Sequence, residues 1–241
     1  MVTANARQRS IKLITALAAV FMSLPLPAFS QAKADGKAAN LVPAGYRVSE
    51  EIKGDLNKDG LDDYVFIVKG PKKDVECKED GQDCSLRGIM AALSKGGRYE
   101  LALENRDCFA SEDRDGGVYY PPDLSVSVKK GNLYIGFNHG RYGKWSYTFR
   151  YQNSDFELIG YDAIQIRGPY VEKEVSVNFL TKKMLTKRNT VEPCDVDECG
   201  GEEKKPVFEE TWENFTLKEP IRLRKINFDE FSIMDHVKTG K

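Results

Sequence analysis

The stretch LSVSVKKGNLYIGFNHG, from Leu124 to Gly140, decides the fold class. Apolar residues occupy alternate positions on either side of its centre, which is the side-chain period of a β-strand with one buried face. The central Lys-Lys-Gly-Asn interrupts this alternation with residues that are typical of a tight turn. The stretch therefore predicts a β-hairpin.

Similar patterns recur along the rest of the chain. The segment KWSYTFRYQNSDFELIG, from Lys144 to Gly160, alternates around a polar turn, and RGIMAALSKGGRYELALEN turns at Gly96–Gly97. Consecutive hairpins with few helical patterns predict an all-β or mostly β fold. We expect an antiparallel meander, a blade-like sheet or a small sandwich.

The N-terminus has the layout of a secretory signal. Residues 1–32 begin with basic side chains, continue with an apolar run and end in small residues, with cleavage expected after Ser30 or Ala32. An uncleaved membrane anchor is the alternative, but Pro25 and Pro27 near the end of a short run favour a processed segment. The sequence therefore predicts a periplasmic or secreted protein.

The remaining chain divides by composition. Residues 33–43 are predicted to form a flexible leader, and residues 44–241 one β-rich domain. Within that domain we expect an exposed acidic loop around residues 189–206. The C-terminal segment, residues 207–241, is predicted to be extended, with a short helix from Asp229.

The charge of the chain argues against a nucleic-acid partner. The formal net charge is −1, and it becomes about −4 when three basic residues leave with the signal. Nucleic-acid-binding domains present a clustered basic face, which this composition does not suggest. No later segment has the apolar length of a membrane span, so none is expected after signal removal.

Five cysteines lie in the exported part of the chain. Cys77 and Cys84 bracket CKEDGQDC, and Cys194 and Cys199 bracket CDVDEC, so we predict a local disulfide in each stretch. A zinc site is the alternative, but the spacings are not C-x-x-C. Cys108 is left over, either as a buried free thiol or as a nucleophile that would need a histidine base.

The stretch GDLNKDGLDD, from Gly54 to Asp63, carries the strongest chemical pattern. It fits D-x-N-x-D-G-x-x-D, in which alternate oxygen ligands suit Ca²⁺ and the glycine permits the sharp bend. An apolar side chain at the seventh position is expected to tuck away while its carbonyl points inward. The predicted ligands are the side chains of Asp55, Asn57, Asp59 and Asp63 and the main-chain carbonyl of Leu61.

Two alternatives to calcium are a metal-free turn and a pair of catalytic carboxylates. From the sequence we expect nothing apolar around the acids that would raise a pKa for acid–base catalysis. The glutamate that closes an EF-hand is missing, because its position falls in the apolar run Val65–Ile67, and a strand follows instead of a helix. Magnesium is less suited, since it prefers octahedral sites that keep several waters, and we expect calcium affinity in the weak range of about 10⁻⁴ to 10⁻³ M.

The loop and the strands after it resemble one repeat of the FG-GAP/VCBS family. The resemblance rests on GDLNKDGLDDYVFIV followed by GIMAALSKGGRYELALEN, from about Lys53 to Asn105. In that family the repeats are blades of β-propellers, as in integrin α-subunits, and serve binding. The resemblance implies a calcium-stabilised binding domain, but one loop cannot supply the several blades of a full propeller. The later stretch YTFRYQNSDFELIGYD resembles small exported bacterial proteins that carry a single such loop.

The stretch FNHGRYGKW, from Phe137 to Trp145, is a second candidate surface. It combines a cation with aromatic rings, which suits contact with a glycan or a peptide. The candidate residues are His139, Arg141, Tyr142 and Trp145, although Trp145 also belongs to an aromatic stripe that fits core packing.

These patterns together favour an exported, non-catalytic calcium-binding β protein that binds a protein or a cell-envelope or glycan partner. A hydrolase or a hydrolase inhibitor is the alternative. It would use the Asn138–Trp145 loop, with Asp113 and Asp115 as candidate carboxylates. A purely structural envelope protein is a third possibility.

Overall fold

The computed structural model describes residues 38–77, 81–114, 121–167, 170–191 and 205–239. This part of the chain is built mainly of β-strands joined by turns and short 3₁₀ segments. The strands are Arg47–Gly54 (β1), Asp63–Lys73 (β2), Ser85–Lys95 (β3), Arg98–Phe109 (β4), Asp123–Lys129 (β5), Asn132–Asn138 (β6), Gly143–Gln152 (β7), Asp155–Arg167 (β8), Tyr170–Asn178 (β9), Lys183–Asn189 (β10), Phe208–Thr216 (β11) and Lys238–Thr239 (β12).

The strands form two antiparallel sheets. The smaller sheet has the order β1-β2-β3-β4, and the larger has the order β12-β11-β10-β9-β8-β7-β6-β5. Both sheets contribute to one hydrophobic cluster, with Ile67 and Leu103 from the smaller and Ile135 and Phe149 from the larger. The prediction of an all-β meander or sandwich is confirmed, and two sheets around one core are not a propeller.

Three of the predicted hairpins turn through pairs of residues with positive φ. Lys130–Gly131 lies between β5 and β6, Asn153–Ser154 between β7 and β8, and Gly96–Gly97 between β3 and β4. Two consecutive positive φ angles define the turn whose twist matches that of antiparallel strands. The hairpin from Leu124 to Gly140 is therefore formed as predicted, with Lys129 paired to Asn132.

Strand β2 is buried on both faces over its first eight residues. Val65 and Ile67 face the core that the two sheets share, whereas Phe66 and Val68 belong to a second cluster on the outer face of the smaller sheet. This double burial explains why DYVFIVKG is a nearly continuous apolar run and not a strict alternation.

The second cluster is covered by the segment before β1. Ala38 is completely buried there, and Leu41, Val42 and Tyr46 pack around it. Residues 33–43 were predicted to form a flexible leader, but residues 38–43 are packed against the smaller sheet. The reason is that the outer face of β2 is apolar and is buried by contact with this segment. Residues 33–37 lie outside the described part.

The C-terminal segment packs against the sheets between β4 and β8. The side-chain amide of Asn105 donates to the carbonyls of Leu223 and Ile226, each at 2.8 Å, and both of these side chains are buried. The helix predicted from Asp229 does not form. Its place is taken by turns and by the 3₁₀ segment Ile233–Asp235, which buries its first residue in the core.

The cysteines follow the prediction where the structure describes them. Cys77 and Cys84 form a disulfide, with their Cα atoms 5.5 Å apart. Cys108 is a buried free thiol, and burial raises its pKa, which leaves it unreactive. Cys194 and Cys199 lie outside the described residues, together with positions 192–204 of the acidic loop, so their pairing stays a prediction.

Candidate metal centre

The acidic loop joins β1 to β2 and contacts the larger sheet. Its flanking strands pair up to Gly54 and Asp63, which lie opposite each other. A Cβ atom on Gly54 would stand 2.6 Å from a methyl carbon of Val128 in β5, so this close approach requires glycine. The aliphatic stem of Lys58 lies over Gly131 in the β5–β6 turn. The loop is thereby placed where the two sheets meet.

The side chains at the first, third and fifth positions bend the loop around themselves. Asp55 accepts hydrogen bonds from the amide of Asp59 at 3.1 Å and from the amide of Gly60 at 2.9 Å. Asn57 Oδ1 accepts from the Asp59 amide at 3.0 Å, and Asp59 Oδ1 accepts from the Leu61 amide at 2.9 Å. Gly60 has a φ of +83°, as its position in the motif requires. The predicted curl of the loop is present.

Asp63, at the ninth position, ties the loop to β3. Its carboxylate is buried and accepts from the Leu56 amide at 2.7 Å and from the Ser94 amide at 2.8 Å. Contrary to the expectation that nothing around these acids would raise a pKa, burial raises the pKa of Asp63; the backbone amides counteract this rise, and the negative charge of Asp59 adds to it. Asp59 and Asp63 are therefore close enough for their charges to repel.

The two leucines of the loop differ from expectation. Leu61 was expected to tuck its side chain away, but that side chain is 49% exposed, whereas Leu56 is 1% exposed and lies in the core. The reason is the hydrogen bond from the Leu56 amide to buried Asp63, which draws the second loop position inward. The proposed role of Leu61 rests on its main-chain carbonyl alone.

The charge of the loop is not balanced by basic side chains in the described parts of the chain. The ion pairs found there involve none of Asp55, Asp59 and Asp63. Among the same residues, no three His, Cys, Asp or Glu side chains are grouped to hold a metal ion. The loop carboxylates are instead turned towards backbone amides, and calcium binding stays a prediction from the spacing of the loop residues.

The second candidate surface keeps three of its four residues together. Residues Gly140–Tyr142 form a 3₁₀ turn between β6 and β7. The rings of His139 and Tyr142 lie 5.1 Å apart, and the Arg141 guanidinium lies 5.2 Å from the centre of the Tyr142 ring. Trp145 instead stacks on Phe137 at 5.4 Å and packs against the core. Trp145 is thus partly buried beside the group formed by the other three, and their role as a contact surface stays a prediction.

Only one of the two carboxylates named for a hydrolase lies in the described residues. Asp113 accepts a hydrogen bond from the amide of Asp83 at 3.1 Å, which gives its carboxylate a local structural contact. Asp115 lies outside the described residues.

A network of ion pairs at the far end of β2 was missed by the sequence analysis. Lys69, only 5% exposed, pairs with Asp83 at 3.1 Å and with Glu112. Arg114 pairs with Asp74 at 2.8 Å. We call these five residues the β2 ion network. The sequence could have indicated this network. Lys69 lies at an alternate position of DYVFIVKG that faces the core, and a buried charge there requires an oppositely charged partner.

The comparisons with known proteins return no relative. No family model, curated protein or solved structure matches the chain. The FG-GAP/VCBS resemblance therefore stays a prediction that rests on the loop and the hairpin after it. In the described residues, no helix has the length and apolar character to cross a membrane.

Proposed function

We propose that the protein is an exported, non-catalytic calcium-binding β protein that binds a protein or a cell-envelope or glycan partner. The acidic loop holds one Ca²⁺. The proposed ligands are side-chain oxygens of Asp55, Asn57, Asp59 and Asp63 and the main-chain carbonyl of Leu61.

The supporting observation is a curled loop whose negative charge has no basic partner in the described chain. Asp55, Asn57 and Asp59 bond to backbone amides within the bend, which brings their oxygens into one turn of chain. Asp63 is buried beside them, where neighbouring like charges are poorly screened. A divalent cation that prefers hard oxygen ligands offsets this charge.

The proposed compartment rests on the sequence and on the disulfide. The Cys77–Cys84 disulfide is compatible with an oxidising environment outside the cytosol. Together with the signal pattern of residues 1–32, it supports a periplasmic or secreted location. A weak calcium site suits such a location, because extracellular calcium modules bind at about 10⁻⁴ to 10⁻³ M.

The hydrogen bonds of the loop carboxylates support a non-catalytic role. Asp55 and Asp59 accept hydrogen bonds from amides of their own bend, and Asp63 accepts from two backbone amides. These contacts shape the loop. The exposed group formed by Arg141 and Tyr142 offers a contact surface for a partner.

Calorimetric titration with Ca²⁺ tests the metal site. We expect the purified protein to bind one equivalent and Asp59→Ala to lose most of the heat, because a carboxylate ligand is removed from an exposed loop position. Asp123→Ala, which removes an exposed carboxylate at the start of β5, is the matched control and should bind as the wild type does. Equal heats from the wild type and Asp59→Ala would overturn the proposal.

A further inference from the structure

Strand β11 is unpaired along most of its outer side in the described structure. Strand β10 pairs with it from Phe208 to Asn214, whereas β12 pairs only with Phe215 and Thr216. Among the described residues, no other strand or turn makes a backbone hydrogen bond to this outer side. We call residues 208–214 the free edge.

The alternation of the strand shows which backbone groups face the outer side. The amide of Phe215 donates to the carbonyl of Lys182, so the odd-numbered residues of β11 point their backbone groups towards β10. In an antiparallel strand the N–H and C=O of one residue point to the same side, and the next residue points the other way. The N–H and C=O groups of Glu210, Trp212 and Asn214 therefore face outwards.

Edge strands are commonly protected by proline, lysine or a β-bulge, and the free edge lacks all three. Its sequence, FEETWEN, contains no proline and no lysine, and it pairs with β10 without a register shift. The side chains from Glu209 to Trp212 are exposed on both faces of the strand, and Trp212 is 64% exposed. Another extended chain can therefore add itself to this edge as a further strand.

The charge of the free edge decides between a second copy of this chain and a different partner. The register that pairs the whole edge with an antiparallel second copy sets Glu209 of each copy opposite Glu213 of the other. Like charges that face each other directly across two strands are destabilising. In the sequence, the preceding residues 192–204 add six acidic side chains and one basic one. A basic partner is therefore favoured over a second copy.

The side chains of the free edge offer contacts to such a partner. Lys187 pairs with Glu210 at 2.8 Å from the β10 side, but a carboxylate has about four acceptor sites and can accept from a second cation. Glu213 lies opposite Met184, which brings no charge. The exposed ring of Trp212 can pack against a β-branched side chain on an added strand.

We propose that the free edge binds an extended basic peptide segment of a partner protein as an additional antiparallel strand. Backbone hydrogen bonds to Glu210, Trp212 and Asn214 hold the segment. Its lysine or arginine side chains lie opposite Glu209, Glu210 and Glu213. The proposal rests on the binding role proposed above, names the chemistry of the partner and does not involve calcium.

The first experiment follows amide hydrogen exchange by NMR. The probe is a capped peptide as long as the free edge, with lysine opposite each glutamate and valine or threonine elsewhere. In the protein alone we expect fast exchange at Glu210, Trp212 and Asn214 and slower exchange at Thr211 and Glu213, which bond to β10. The peptide, at ten times its dissociation constant, should slow the three outward amides about tenfold.

The comparator is the same peptide with glutamate in place of lysine, which should leave the exchange rates unchanged. Slow exchange at the outward amides before any peptide is added would mean that the edge is already paired, and it would overturn the proposal. Equal effects of the two peptides, or no effect of the lysine peptide, would overturn it as well.

The second experiment separates strand pairing from simple charge attraction. N-methylation of the peptide at the residues opposite Glu210 and Trp212 removes N–H groups that face the protein, so it should abolish binding. N-methylation opposite Glu209 and Thr211 alters N–H groups that point away, so binding should persist. If both methylated peptides bind alike, the attraction is only electrostatic and the proposal is wrong.

The third experiment changes the protein. Glu209→Gln combined with Glu213→Gln should weaken binding of the lysine peptide about three- to tenfold at low salt, because two cross-strand charge pairs are lost. Glu172→Gln combined with Glu219→Gln is the matched control, since both residues are exposed, lie outside β11 and change the net charge equally. Equal weakening by the two double variants contradicts the proposal.

Calcium titration of the same protein keeps this inference distinct from the calcium role. Absent calcium heats with normal peptide binding defeat the calcium role alone. Normal calcium heats with no peptide binding defeat this inference alone.

Discussion

Both ends of β2 carry acidic turns, but the negative charges of the two turns are stabilised in different ways. At the first end, buried Asp63 accepts from backbone amides, and burial raises its pKa. At the other end, hydrogen bonds from Ser85 and Lys69 hold the pKa of Asp83 well below its usual range. The negative charge at the Asp83 end is therefore neutralised by basic side chains of the protein. The described chain supplies no basic partner to the acidic loop at the Asp63 end. The comparison shows that one acidic turn is closed by an ion network within the protein, whereas the other has no cation in the described chain, and it is at this second turn that we propose calcium binding.

The largest effect is expected at the first end, from Asp63→Ala. The change leaves the amides of Leu56 and Ser94 without their acceptor inside the fold, at about 1 to 3 kcal/mol for each group that stays unsatisfied. We expect the free energy of unfolding in calcium-free buffer, measured with urea, to fall by about 3 kcal/mol. The exposed neighbour Asp62→Ala is the control, and similar losses from both would contradict the role of Asp63.

The next effect concerns the disulfide that closes the loop beside the β2 ion network. Replacing both Cys77 and Cys84 by serine frees this short loop in the unfolded chain, which in the chain-entropy description costs about 2 kcal/mol. Urea unfolding checks the loss. Dithiothreitol should lower the stability of the wild type by a similar amount and leave the double variant unchanged. If the double variant were as stable as the oxidised wild type, the disulfide would not contribute to the stability of this end of β2.

Calcium should act on the first end only. At ten times its dissociation constant, a ligand that binds the folded state adds about 1.4 kcal/mol, or about 4 °C in melting temperature for a chain of this length. We expect this rise in the wild type and in Lys69→Met, whose change lies at the far end of β2. Asp59→Ala should show no rise. The same rise in Asp59→Ala would place the calcium elsewhere.

The features that were predicted correctly from sequence are local ones. The hairpin at Leu124–Gly140 follows from alternation and from turn residues that lie next to each other in the chain. The curl of the acidic loop follows from the spacing of Asp55, Asn57 and Asp59, whose side chains bond to amides within a few residues.

The features that were missed depend on contacts between distant parts of the chain. Leu56 enters the core beside buried Asp63, which accepts from its amide, whereas Leu61 stays exposed. The packing of Ala38 depends on a second apolar face of β2 that the alternation rule does not reveal. The pairing of Lys69 with Glu112 joins residues 43 positions apart. Local periodicity carries no information on such partners.

The smallest effect is expected at the far end, from Lys69→Met. The variant removes a cation from Asp83, whose side chain is one-third exposed and therefore partly screened, so we expect a loss of about 1 kcal/mol at neutral pH. Because the pKa of Asp83 is lowered in the folded state, its contribution is present above the unfolded value of about 3.9 and is lost as the pH falls below it. The variant should lose stability less steeply than the wild type between about pH 5 and pH 2.

The matched control for this last change is Lys73→Met, since Lys73 is exposed and lies 3.9 Å from Asp83. It should leave the acid dependence close to that of the wild type. The pKa of Asp74 is also lowered, through its bonds to Arg114 and to backbone amides that outweigh its burial, so Lys69→Met flattens the acid dependence without abolishing it. An unchanged acid dependence in Lys69→Met would mean that Lys69 does not compensate Asp83. The contrast between the two ends of β2 would then rest on the other cations of this end, with Arg47 paired to Asp83 and Arg114 paired to Asp74.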